Sequence, residues 1–170
     1  MNLPLSTLGI FHTVVSVIAL VFAAISLVRE GVINPRSRTG RYYMIITVIA
    51  CVSAFGLSRA GGFNPGHALA LLILLLFGVA LLAVRTQLFG RASAYVEVFC
   101  MSATLFFSLV PGINETFLRL PLRNPLSTDI DSPATQRALM VLFVLFLAGV
   151  GWQLLKVRAA VRQRAGGIIH

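Results

Sequence analysis

Acidic side chains are scarce in this chain. Five Asp and Glu stand against 14 Lys and Arg in 170 residues, and charged residues of both signs make up only 11%. Soluble domains carry about 25% charged residues, so this composition excludes an ordinary water-soluble fold. The imbalance leaves a formal net charge of +9, which in a soluble protein would point to nucleic acid. In a chain that is 58% hydrophobic, with a mean hydropathy of +0.91, it points elsewhere, because membrane proteins collect Lys and Arg in their cytoplasmic loops. Nucleic acid is therefore not an expected partner.

Other shortages narrow the field further. The two cysteines, Cys51 and Cys100, belong to no CxxC or other metal spacing, and two are too few for a disulfide framework. Both fall within apolar runs and read as small packing residues. There is no Ser-x-x-Lys, no GxSxG, no HExxH and no phosphate-binding glycine loop, so no catalytic arrangement stands out. Histidines number three, His12, His67 and His170, which excludes the two matched pairs that a two-haem cytochrome requires.

What the chain has in abundance is long apolar sequence. The stretch from Gly61 to Val84 sets the pattern: the turn signal Asn64-Pro65-Gly66 hands over His67, and a charge-free run follows to Arg85. At about 1.5 Å per residue such a run approaches the ~30 Å hydrocarbon core of a bilayer, and a backbone in lipid must satisfy its own hydrogen bonds. A membrane helix follows. Four comparable segments predict an all-α, polytopic membrane protein, a bundle of five transmembrane helices over residues 7–28, 42–58, 67–84, 92–110 and 138–155. No Lys or Arg precedes the first segment, so it lacks the charged start of a cleavable signal and should stay as a span. Pro111-Gly112 is expected to end the fourth. The connection 111–137 follows, where Pro121, Pro125 and Pro133 exclude one continuous helix. Within it Glu115 and Arg119 stand at i,i+4, spaced for a turn or two of helix at the interface. The basic tail 156–170 completes a single integral membrane domain.

Orientation follows from the cations. One side collects Arg29, Arg36, Arg38, Arg41, Arg85, Arg91, Lys156, Arg158, Arg162 and Arg164; the other holds Arg59, Arg119, Arg123 and Arg137. This places the C-terminus in the cytoplasm and the N-terminus outside. Gly-x-x-Asn-Pro occurs at Gly31 and at Gly61, and turn chemistry accounts for it as well as duplication does.

Ionisable groups within spans are costly and mark the places to look for chemistry. His12 and His67 begin helices that run in the same direction, so both imidazoles lie near the outer face, where Glu115 can fold over them. Two imidazoles at matched depth suit one b-type haem, and with Glu115 they suit one divalent metal. The plainer alternative has each ring hydrogen-bonded at headgroup level, and the lack of any motif favours it; Ser16, at i,i+4 from His12, is then its natural partner. Glu97, Cys100, Thr104 and Ser108 follow at i+3, i+4 and i+4 and share one helical face. They form either a polar or proton track leading toward Glu115 or a packing seam between helices. The seam is favoured, with Glu97 near enough to Arg91 or Tyr95 to reach the interface. Tyr42, Tyr43 and Trp152 read as interfacial anchors, and His170 as part of a terminus without a role.

His12 in the first span, Ser37-Arg38-Thr39-Gly40-Arg41-Tyr42-Tyr43 opening the second, and Gly61-Gly62-Phe63 before His67 resemble the layout of small bacterial predicted membrane proteins of unknown function. The likeness covers the chain through Val84 and implies a multi-pass protein of the bacterial inner membrane. The expected activity is that of a binding or accessory membrane component, in contact with lipid and with a membrane-protein partner or a second copy. A single-haem electron-transfer protein and a small proton-coupled carrier using Glu97 are the alternatives.

Overall fold

The computed structural model describes residues 6–57, 62–86, 88–121, 125–126 and 131–166, with side chains as far as Gln163. The chain is helical, with α1 at Thr7–Glu30, α2 at Arg38–Ala54, α3 at Pro65–Thr86, α4 at Ser93–Arg119 and α5 at Pro133–Gly166. No strand occurs among the described residues. Local chemistry sets the helix ends. Ser6 caps α1 by accepting from the Gly9 amide at 3.1 Å, and Gly31 closes that helix at φ 74° with its amide on the Leu27 carbonyl, the left-handed conformation that glycine adopts freely. Ser37 repeats the N-cap at α2, accepting from Gly40 at 3.1 Å. At α3 the Asn64 side chain accepts from the His67 amide at 3.1 Å, with Pro65 in the first helical position, where a missing amide hydrogen costs nothing.

Four of the helices, Thr7–Glu30, Pro65–Thr86, Gly90–Arg119 (counting the short 3-10 turn that precedes α4) and Pro133–Gln163, are long and apolar enough to cross a membrane. The 17 residues of α2 reach only about 25 Å. The helices pack mainly as α1 on α2, α3 on α4, and α4 on α5, with α2 joining α3 and a narrow touch between α1 and α4.

The packing runs opposite to that of a soluble bundle. Large apolar side chains point outward, among them Val17 and Val21 on α1, Ile45 and Val52 on α2, Leu75 on α3, and Val141 and Leu145 on α5. Buried positions go to small residues, including Ala19, Ala23 and Ser26 on α1 and Ala70, Ala80 and Ala83 on α3. Lipid offers no hydrophobic reward for burying Leu, so close approach of small side chains and cross-helix hydrogen bonds hold such helices together. This is the build of a multi-pass helical membrane protein.

Two helix ends differ most from the sequence expectation. Pro111 does not end the fourth helix; α4 carries it inside and continues to Arg119. Proline removes one backbone donor, a loss that membrane helices tolerate where neighbouring groups take up the freed carbonyl. The residues expected as an interfacial turn are thus the last turns of α4, and Arg119 donates to Glu115 at 2.7 Å within them. The basic segment after residue 155 is helical, since α5 continues through it to Gly166. Arg59, Gly61, Arg123 and His170, named above, lie outside the described residues.

Candidate functional site

His12 stands on α1 against the last turn of α2. Its Nδ1 lies 3.0 Å from the Ala50 carbonyl and 2.9 Å from Ser53 Oγ, while Ser53 gives its own hydrogen to the same carbonyl at 2.8 Å. Both neighbours therefore accept, so Nδ1 carries the proton of the neutral ring. Nε2 is left as a lone-pair nitrogen with no partner among the described residues. The orienting hydroxyl is Ser53 on the neighbouring helix, not Ser16 on the same one. Glu115 lies within electrostatic reach of this ring, so the end of α4 does approach His12.

His67 is built differently. It is 6% exposed and sits between Phe55 and Phe63, with ring centroids 5.6 and 5.7 Å away. The Asn64 amide that donates to the Leu57 carbonyl at 3.1 Å also faces His67 Nε2 at 3.3 Å, so this ring accepts at Nε2. His67 completes the cap of α3. Both imidazoles lie at the end of the bundle where α2 finishes, as their depth in the sequence implied, but each has its own local partners. Among the described residues no group of three or more His, Cys, Asp or Glu is gathered to hold a metal ion, and the haem and metal readings find no support in this geometry.

The polar face of α4 is reached from α2 by the Tyr43 side chain. Cys100 and Thr104 are buried, and Tyr43 reaches across to Thr104 Oγ1 at 2.9 Å. Thr104 donates to the Met101 carbonyl at 2.7 Å, so the phenol is the donor in that pair. Ser108 gives its hydrogen to the Thr104 carbonyl at 2.8 Å, and Thr47 stands beside the same phenol. Tyr43 is fully buried at 0% exposure, whereas Tyr42 is 52% exposed; Tyr43 is therefore a core residue and not an interfacial anchor.

Glu97, at the other end of this face, finds its partner far along the chain. Arg36, in the α1–α2 turn, places Nη1 3.1 Å from Glu97 Oε2 and Nη2 3.0 Å from the Val84 carbonyl at the end of α3. One guanidinium thereby ties the turn to α3 and α4. Neither Arg91 nor Tyr95 takes that role. Ser102 and Gln153, absent from the sequence reading, form a buried bond of 2.6 Å between α4 and α5; an amide within the fifth apolar run was its only signal.

The class these features define is the multi-pass helical membrane protein with a half-buried histidine at one end and a charged tie at the other. Compared with family models, with curated proteins and with solved structures, the chain has no match.

Proposed function

We propose that the chain is a five-span protein of the bacterial inner membrane, N-terminus outside and C-terminus cytoplasmic, acting as a binding or accessory component with its ligand-facing site at His12 and Glu115. One observation carries the site: the His12 ring is oriented by two acceptors on α2, which leaves Nε2 as an open acceptor, within electrostatic reach of the Glu115 carboxylate. An acceptor nitrogen at the end of the bundle that carries the Glu115–Arg119 pair suits a polar group that donates a hydrogen bond. It does not supply a second imidazole, since the Asn64 amide occupies His67 Nε2. Glu97 as a carrier group has the weaker case, because Arg36 already holds its carboxylate.

The topology follows from the cation asymmetry and from α2 completing an odd number of crossings. Reporter fusions after residues 34, 88 and 163 should all read cytoplasmic, and an outside reading at any of them would overturn the orientation. For the site, the absorbance spectrum and metal content of the detergent-purified protein are compared between the wild type and His12→Gln. A haem band or bound metal lost in His12→Gln would replace the accessory reading with a cofactor protein. A colourless, metal-free wild type whose co-purifying small molecule disappears in His12→Gln supports the proposed site, and identical contents in both proteins would sink it.

A further inference from the structure

The basic end of the bundle is assembled from segments distant in sequence. Arg36 joins the α1–α2 turn to α3 and α4, and Thr39 at the start of α2 donates to Glu30 at the end of α1 at 2.9 Å. A Cβ placed on Gly31 would lie 3.0 Å from Lys156 Nζ and 3.4 Å from the Trp152 ring, so α5 closes on the same turn. Lys156 is itself held 3.7 Å above that ring.

The charge at this end is not neutralised within the chain. Arg29, Arg38, Arg41, Arg85, Arg91 and Arg158 are all exposed, and none forms an ion pair among the described residues. The two carboxylates present, Glu30 and Glu97, are already engaged by Thr39 and Arg36.

Depth places these cations at a membrane surface. From Pro133 to Trp152 α5 rises about 29 Å, the thickness of one hydrocarbon core. Trp152 is half exposed, as an aromatic at the headgroup level is. One turn beyond it comes Lys156, then Arg158, about 6 and 9 Å past the ring position and so at phosphate depth.

We infer that this end binds anionic phospholipid headgroups, with Arg38, Arg41 and Arg158 meeting the phosphates around the rigid turn 31–37. The inference rests on the membrane reading and not on the His12 site. The turn is set before lipid arrives: Ser37 donates to the Asn34 carbonyl at 2.9 Å, and Asn34 Oδ1 accepts from the Arg36 amide at 2.8 Å. Arg38 and Arg41, on the first turn of α2, and Arg158, on α5, are carried by helices that meet at this turn, so their backbone needs little ordering on binding, which favours affinity.

The test incubates the purified full chain with equimolar phosphatidylglycerol and phosphatidylcholine and counts bound lipid by native mass spectrometry. Bound phosphatidylglycerol should exceed phosphatidylcholine by roughly tenfold or more. The triple variant Arg38→Gln, Arg41→Gln, Arg158→Gln should bring the ratio near unity, while the same three sites changed to Lys should keep it, separating charge from folding. Arg137→Gln at the opposite end and His12→Gln should leave it unchanged. Equal binding of the two lipids by the wild type, or an undiminished preference in the triple Gln variant, overturns the inference. So does an acidic polypeptide or RNA that displaces phosphatidylglycerol from the wild type.

Discussion

The α1–α4 part of the bundle and the α4–α5 junction hold helices together by different means. In the first, small residues bring backbones close and buried hydroxyls bond across, as Tyr43 does with Thr104 and Ala19 and Ala23 do by giving way. In the second, large rings fill the gap: Phe106 lies within 4.8 Å of Phe146 and 6.0 Å of Phe143, and Ser102 with Gln153 supplies a buried polar bond. Polar bonds and close approach require one register. Ring packing tolerates small slides, and it leaves most of α5 facing outward. The first part therefore specifies the fold, and α5 is the helix with surface to spare.

The strongest way to break this contrast is at Gly40. A Cβ there would stand 1.9 Å from the Asn34 carbonyl oxygen, and the contact is with backbone that the capping bonds of Ser37 hold in place. Gly40→Ala should cost about 3 kcal/mol, read as a large drop in the thermal midpoint of the detergent-solubilised protein. Gly151→Ala on α5, where an added Cβ meets nothing within 4 Å, is the matched control and should leave the midpoint within error. Equal effects of the two substitutions would erase the distinction between the regions.

Next in size is Tyr43→Phe, which keeps the edge contact with Phe77 at 5.8 Å and removes only the phenol. Thr104 still donates to Met101, so the loss should be about 1 kcal/mol. Gln153→Leu should cost less, about 0.6 kcal/mol, the average for a polar bond between membrane helices. Its effect should be confined to α5, seen as faster proteolysis after residue 131 without change in protection of α1 to α4.

How much of this was readable beforehand follows the same division. Helix positions were legible because an apolar run announces itself residue by residue, and the polar face of α4 was legible because i+3 and i+4 spacing is a local property. The Glu115–Arg119 pair is local in the same sense. Tyr43 departs from its expected place because an aromatic near Arg41 looks the same in sequence whether it turns toward headgroups or toward another helix; the deciding partner, Thr104, lies 61 positions away. The fourth helix was cut at Pro111 by a rule drawn from water, where the freed carbonyl and the ring clash usually end a helix. Arg36 was counted only as a charge on one side, and no local pattern says that its guanidinium reaches both Val84 and Glu97.

The smallest expected effect falls on that last tie. Arg36 is 55% exposed at its side chain and Glu97 12%, so water screens the pair from one side and the bond to Val84 survives if the carboxylate is lost. Glu97→Gln keeps an acceptor oxygen in place and should change stability by no more than about 0.5 kcal/mol. Folding then stays intact while the one acidic group of the α4 polar face disappears, which makes this variant a clean probe of transport. In proteoliposomes carrying a pH-sensitive dye, unchanged proton movement in Glu97→Gln would retire the carrier alternative and leave the polar face as a packing seam. A proton flux present in the wild type and absent in the variant would turn the Tyr43–Thr104–Ser108 cluster from a fastener into part of a path.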